Sequence, residues 1–187
     1  LPPQPTVTIN NTPPWNRTTF STDVSLQLLL NRQDNQEILK QITLQHLQQY
    51  NQHLHIYTDG SRLITGNTGA AFCIPTKNIE IQLKLPDNTS IVTAELTAIK
   101  ATLQYLNTTD INSTSIAILT DSLSGIHSIT NNNLLFKSTE SDIVNLITLL
   151  QQSNNTVTII WIPSHIGLQG NEHADKLAKL SAEKPTT

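Results

Sequence analysis

The chain has 187 residues, a formal net charge of −3 at pH 7, one cysteine and no methionine. This length supports one domain with a core plus some additional chain, and a single cysteine excludes an internal disulfide bond. No stretch is long and apolar enough to span a membrane, and no signal-peptide pattern begins the chain. Because the first residue is Leu1 and methionine is absent, we interpret the sequence as part of a longer polypeptide.

Residues 1–52 are predicted to form a linker followed by an amphipathic helical segment. Residues 1 to about 22 contain six Thr and five Pro without a periodic apolar pattern, which is typical of an extended linker. From residue 24 to 52, apolar side chains recur at helical spacing in a Gln-rich background. We expect these helices to pack on the domain or on a neighbouring one, and we assign them no chemistry.

Three strands are predicted next, arranged as an antiparallel meander. The first is a short buried strand that ends at Asp59, where Gly60 would let the chain leave sharply. Residues 68–75 and 78–85 are the other two, joined by a turn at Pro75. An Asp before Gly often only begins a turn, so Asp59 alone is a weak signal.

A helix is predicted from the cap residue Ser90 to about Leu106, and it carries Glu95 on its apolar face. A carboxylate on that face must have a partner, whereas a solvent-facing Glu would need none. Residues 115–120 are predicted as a strand that ends at Asp121 and is followed by a helix, which favours parallel pairing. Asp121 could alternatively be only the cap of that helix.

The remaining elements are a helix over residues 139–152, a strand over 156–162 and a helix that begins after Gly170. Asp175 lies in the first turns of this last helix, where the helix dipole favours an anion. We interpret the neighbouring Glu172 and His173 as solvated side chains. The whole pattern predicts an α/β fold with a five-stranded mixed sheet flanked by helices.

Four carboxylates and one histidine lie at the edges of these elements: Asp59, Glu95, Asp121, Asp175 and His165. In this order, over residues 53–182, they resemble ribonuclease H. Three stretches are more narrowly similar to the ribonuclease H domain in reverse transcriptases of non-LTR (LINE-type) retrotransposons, and they are Tyr57-Thr58-Asp59-Gly60-Ser61, Thr93-Ala94-Glu95-Leu96 and Trp161-Ile162-Pro163-Ser164-His165-Ile166-Gly167. The resemblance implies a ribonuclease H-like domain at residues 53–187, preceded by a segment that belongs to an upstream polymerase.

Four carboxylates in one place cannot all ionise unless cations compensate them. Hard oxygen ligands in this number indicate Mg²⁺, with Mn²⁺ as the usual substitute. The resemblance implies two ions, with Asp59 bridging them and Glu95, Asp121 and Asp175 completing the shells, for hydrolysis of the RNA strand of RNA–DNA hybrids. His165 could carry protons near neutral pH, or it could be a structural histidine of its loop.

The resemblance also implies the residues that read the hybrid: the backbone of Gly60 and Ser61 with the side chains of Ser90, Thr93 and Asn171. Many cellular enzymes have two asparagines shortly before the helical Glu, whereas this chain has Ile91 and Val92. The charge is unusual for such a partner, since from residue 53 onward eight Lys and Arg face eleven Asp and Glu. Two bound divalent ions would change the domain from −3 to +1.

Three other functions are compatible with parts of this pattern. A DNA transposase or integrase uses the same fold and metals but lacks the loop histidine. A degenerate domain that only holds the hybrid would have lost carboxylates, and none is lost. A cellular ribonuclease H of the bacterial type would carry a lysine-rich protruding helix between Asp121 and Trp161, where this chain has only Lys137. We therefore expect an intracellular retroelement protein, in the nucleus or cytoplasm, that is monomeric as an isolated domain and acts beside its own reverse transcriptase.

Overall fold

The computed structural model describes residues 20–31, 33–130 and 138–185. Most of the predicted linker, and the position of Lys137, lie outside these residues. Within the described part of the chain, no helix has both the length and the apolar character needed to cross a membrane.

The centre of the fold is a mixed sheet. Its strands are β1 (Ser21–Asp23), β2 (Leu54–Arg62), β3 (Thr68–Ile74), β4 (Ile79–Leu85), β5 (Ser115–Thr120) and β6 (Thr156–Trp161). They lie in the order β1-β6-β5-β2-β3-β4. Strands β2, β3 and β4 pair antiparallel, while β5 pairs parallel with β2 and β6 pairs parallel with β5. The predicted meander, the parallel strands and the α/β class are confirmed.

The prediction of five strands was wrong by one. Residues 21–23 form an additional edge strand, which pairs parallel with β6 through Thr22 and Ile159. Three residues are too few to show the alternation that marks a strand, so the stretch looked like the end of a linker. The sheet thus includes residues from the segment before residue 53, and the domain division at residue 52 stays a prediction.

The second correction concerns Gly60. Strand β2 continues through Arg62, so Asp59 lies inside the strand and Gly60 does not end it. A Cβ atom on Gly60 would lie 2.5 Å from the backbone nitrogen of Glu95. The glycine is therefore required because strand β2 and the helix of Glu95 approach closely, and not because the chain turns there.

Six helices occur in the described residues: α1 (Leu26–Leu29), α2 (Gln36–Leu47), α3 (Ile91–Asn107), α4 (Leu123–Thr130), α5 (Ser138–Gln152) and α6 (Gln169–Glu183). Ser90 caps α3 as predicted, since its Oγ accepts a hydrogen bond from the Thr93 amide at 3.1 Å. In the first turn of α4, Ser122 Oγ accepts from the Gly125 amide at 3.2 Å. Ser122 thus supplies the cap bond that Asp121 could have supplied.

Apolar side chains cover both faces of the sheet. One cluster packs α3 and α5 on residues such as Ile56 and Ile118, and the other packs α6 with the N-terminal helices on residues such as Tyr57 and Leu119. Successive strand residues point to opposite faces, which explains why neighbours such as Ile56 and Tyr57 belong to different clusters. Cys73 is buried in the second cluster, as expected for a packing residue.

Candidate active site and metal centre

Three carboxylates meet where β2, α3 and the end of β5 come together. Carboxylate oxygens of Asp59, Glu95 and Asp121 all lie within 4.8 Å of one another. The parallel register pairs Thr58 with Thr120, so the next residue of each chain segment, Asp59 and Asp121, is delivered to the same place. The close approach of α3 to Gly60 brings Glu95 to them.

Burial and mutual repulsion raise the pKa values of these groups. Burial, followed by the charges of Asp121 and Asp175, raises the pKa of Asp59 to about 8. Burial and the charges of Asp59 and Asp121 raise the pKa of Glu95 to about 10. Burial also raises the pKa of Asp121, against the opposing effect of a hydrogen bond from Asn171. The cluster is therefore costly to ionise unless positive charge is added.

An unpartnered oxygen points to the same requirement. Glu95 is only 6% exposed, and within the described ranges its buried Oε2 atom has no hydrogen-bond partner. Buried polar atoms without a partner are rare in folded proteins, and a bound ion is one arrangement that satisfies them. Carboxylate oxygens are the donors that hard divalent cations prefer. The residues present therefore fit a divalent metal.

Asp175 approaches this cluster from α6. Its carboxylate raises the pKa values of Asp59, Glu95 and Asp121, as expected for a like charge nearby. It also forms a second group with His165 and Glu172, whose ligand atoms lie within 4.8 Å of one another. The structure thus brings all four predicted carboxylates and the loop histidine into one region.

His165 lies in the loop between β6 and α6, and its side chain is exposed. Its φ angle is +55°, a left-handed conformation that is uncommon for a residue other than glycine. Its backbone carbonyl accepts a hydrogen bond of 2.8 Å from the side chain of Gln36. When protonated, it lowers the pKa of Asp121 through its charge, so the two side chains are close enough to interact.

Glu172 also contacts the loop that carries His165. It was interpreted as solvated, but its Oε1 accepts a hydrogen bond from the Gly167 amide at 3.2 Å. It is also a member of the group with His165 and Asp175. The available signal was its spacing of three residues from Asp175, which places both on one face of α6. His173, by contrast, pairs with Glu80 at 2.7 Å, in a contact apart from this cluster.

The comparison with known families agrees with this geometry. The sequence profile of the RNase H family matches residues 51–183, which contain all four carboxylates and His165. The chain belongs to the RNase H family. No match was found among curated proteins. The helices α1 and α2 and strand β1 precede the matched residues.

RNase H domains bind RNA–DNA hybrids and generally use divalent metals. Among the residues predicted to read the hybrid here, Ser90 and Thr93 are exposed, and their hydroxyl groups lie 2.7 Å apart. Gly60 and Ser61 are buried in β2. Asn171 is 3% exposed and its Nδ2 donates to Asp121 at 3.4 Å, so its first contact is with a carboxylate of the site. These five assignments stay predictions.

The raised pKa values predict how the stability of the metal-free RNase H domain depends on pH. Asp59 and Glu95 bind a proton more tightly in the folded state than in the unfolded state. Their protonation stabilises the fold fully below about pH 4, and this stability is lost as the pH rises towards the folded pKa values. The melting temperature in EDTA should therefore fall by several degrees between pH 5 and pH 8, since about 1 kcal/mol corresponds to about 2–4 °C at this size.

Thermal melts with saturating Mg²⁺ provide the control. Bound metal supplies the positive charge that ionised carboxylates need, so the fall with pH should be smaller or reversed. A Glu95→Gln variant should also show a shallower fall in EDTA. Equal pH dependence in all three samples would show that this cluster does not control the stability.

Lys179 forms an ion pair with the site, donating to Asp175 Oδ2 at 2.7 Å from one turn further along α6. Any cation that binds Asp175 must compete with this ammonium group. Lys179→Met is expected to tighten Mg²⁺ binding roughly two- to fivefold, because half-exposed pairs of this kind are weak. Calorimetric titration with Lys176→Met as the matched control tests this, since Lys176 is exposed on the same helix. Equal affinities in the two variants would argue that Lys179 does not compete.

Proposed function

We propose that this RNase H domain is a metal-dependent endonuclease that hydrolyses the RNA strand of RNA–DNA hybrids. The observation that carries the proposal is the convergence of Asp59, Glu95 and Asp121, with carboxylate oxygens within 4.8 Å, inside the residues that match the family. Mg²⁺ is the proposed ion, with Mn²⁺ as a substitute, because both prefer oxygen ligands. Two such ions would supply an activated water and stabilise the leaving 3′ oxygen.

The residues of the chain have distinct proposed roles. Asp59 would be the ligand shared by the two ions, since its carboxylate is grouped with those of Glu95 and Asp121 and its pKa is also raised by the charge of Asp175, and Glu95, Asp121 and Asp175 would complete the ligand set. Asn171 holds the carboxylate of Asp121 through its amide group. His165 is the proposed proton carrier, because an exposed imidazole beside the carboxylates can take or give a proton near neutral pH.

We further propose that the domain serves a reverse transcriptase of a non-LTR retroelement inside the cell. The three motifs around Asp59, Glu95 and His165 support this, together with the few basic residues available for holding a nucleic acid by themselves. Hybrid affinity comes largely from phosphate neutralisation by Lys and Arg. A polymerase on the same polypeptide would instead hold the hybrid at about millimolar effective concentration.

A cleavage assay tests the proposed activity. A hybrid labelled on the RNA strand is incubated with the protein and Mg²⁺, and double-stranded DNA and double-stranded RNA are the controls. Cleavage of the RNA strand of the hybrid alone, abolished by EDTA, is the expected result. Cleavage of double-stranded DNA instead would identify a DNA nuclease and overturn the proposal.

The dependence on a neighbouring polymerase gives a separate prediction. The isolated chain should bind the hybrid weakly, and the log–log slope of affinity against salt should be only a few units, because the slope follows the number of phosphates contacted. Titrations at several salt concentrations measure this. Nanomolar affinity near physiological salt, or a steep slope, would show that the binding surface of the chain is complete without a polymerase.

A further inference from the structure

The loop that carries His165 is held from two sides. We call residues 162–168 the histidine loop. From α6, the carboxylate of Glu172 accepts a hydrogen bond from the Gly167 amide at 3.2 Å. From α2, which precedes the loop in the sequence, Gln36 Nε2 donates to the carbonyl of His165 at 2.8 Å. The second contact joins residues 129 positions apart, and Gln36 precedes the residues that match the family.

Apolar packing reinforces the contact with α2. Ile166 and Leu168 of the histidine loop are 3% and 5% exposed, respectively. They belong to the same apolar cluster as Leu26 and Leu47, which lie in the segment before the family match. Burying such side chains stabilises an arrangement by an amount that grows with the apolar area removed from water. The loop is therefore held against the N-terminal helices by apolar packing as well as by the hydrogen bond from Gln36.

The backbone conformation of His165 explains what the hydrogen bond from Gln36 can stabilise. Its φ of +55° costs free energy for a residue with a side chain, and such a conformation persists only where its surroundings hold it. The carbonyl that Gln36 binds belongs to His165 itself. Fixing that carbonyl fixes the peptide plane that follows His165, and it thereby restricts where the imidazole can point.

The N-terminal helices are themselves fastened to the sheet beside this loop. Strand β1 pairs with β6, and the histidine loop begins where β6 ends. At the end of β1, Asp23 Oδ2 accepts a hydrogen bond of 2.6 Å from the Tyr50 hydroxyl and lies 2.7 Å from His46 Nε2. The C-terminal end of α2 is thus connected through β1 to β6, the strand from which the loop emerges, while Gln36 at its N-terminal end contacts His165.

We propose that residues 20–31 and 33–50 form a positioning element for the histidine of this RNase H domain, with Gln36 as the positioning residue. The inference rests on the proposed function, because it takes His165 as the proton carrier. It differs from that function in assigning a role to a segment that lies outside the family match. Without the Gln36 contact, the histidine loop samples more conformations and His165 is correctly placed for a smaller fraction of the time.

The test removes the donor of Gln36 without adding charge. Gln36→Met is expected to lower kcat on the hybrid roughly 3- to 30-fold with little change in KM, which is less than the ~10²-fold that a 1 Å misplacement can cost. Gln36→Lys keeps a donor and should restore most of the rate. Gln45→Met is the matched control, since Gln45 is exposed further along the same helix. An unchanged kcat for Gln36→Met would overturn the proposal.

Two further measurements separate positioning from a general loss of structure. Hydrogen exchange at the amides of Ile166 and Gly167 should be roughly fivefold faster in Gln36→Met, and Mg²⁺ affinity should not change. In a His165→Ala background, Gln36→Met should have no additional effect on kcat, because both changes act through one side chain. An equal loss in both backgrounds would overturn the proposed role of Gln36. Wild-type protein that does not cleave the hybrid would instead overturn the proposed function, and hydrogen exchange would still decide whether Gln36 holds the loop.

Discussion

Asp59→Asn is expected to reduce hybrid cleavage about 10³-fold or more while the fold remains intact. An amide cannot supply the negative charge that holds divalent ions between the acids, and Lewis-acid stabilisation of the transition state contributes several kcal/mol. At about 1.36 kcal/mol for each factor of ten, loss of this stabilisation gives a reduction of about 10³-fold or more. The fold should survive, because burial and neighbouring charges already raise the pKa of Asp59 to about 8, so its ionised form adds no stability in the absence of metal.

Two measurements check this expectation, with Asp110→Asn as the matched control because Asp110 is exposed and undergoes the same change of charge. Circular dichroism should show that both variants are folded. Addition of Mg²⁺ should raise the melting temperature of the wild type and of Asp110→Asn, and it should raise that of Asp59→Asn much less. A folded Asp59→Asn variant that retains Mg²⁺-dependent cleavage would refute the assigned site.

The elements that could be predicted from the sequence are those whose signals are local. Alternating apolar residues marked β4, and the Ser90 cap marked the start of α3, as the structure confirms. Strand β1 could not be predicted in this way, because three residues carry no period and their pairing depends on Ile159 in β6. Its partner lies more than a hundred residues away in the sequence, where no local pattern can indicate it.

The roles of individual site residues were also difficult to predict, because they depend on contacts between residues that are distant in the sequence. An Asp-Gly pair ordinarily indicates a turn. Position 60 instead requires glycine because α3 passes within 2.5 Å of the position that a Cβ would take. Glu172 looked solvated because helical spacing cannot show that the Gly167 amide faces it. The resemblance of the motifs to ribonuclease H thus indicated which acids could share a site, whereas the contacts that orient them follow from the packed fold.

The loop histidine provides the second large effect. His165→Ala is expected to slow cleavage at saturating hybrid by roughly 10- to 10⁴-fold, the usual contribution of a general acid or base. The melting temperature should change little, because the side chain is exposed and its removal leaves no cavity. Mg²⁺ affinity should also be retained, since Asp59, Glu95 and Asp121, whose carboxylate oxygens lie within 4.8 Å of one another, remain in place.

The pH dependence distinguishes a proton carrier from a structural histidine. If the imidazole transfers a proton in the reaction, the pH–rate profile of His165→Ala should differ in shape from that of the wild type, because such a profile reports the essential acids and bases of the enzyme. His173→Ala is the matched control, because His173 lies on α6 and pairs with Glu80 outside the cluster. An unchanged rate and profile for His165→Ala would leave His165 with a structural role only. Of these two histidines, only His165 shares a group of ligand atoms with Asp175. Equal losses of cleavage rate in the two variants would therefore indicate an indirect effect on the packing of α6 and not a role in proton transfer.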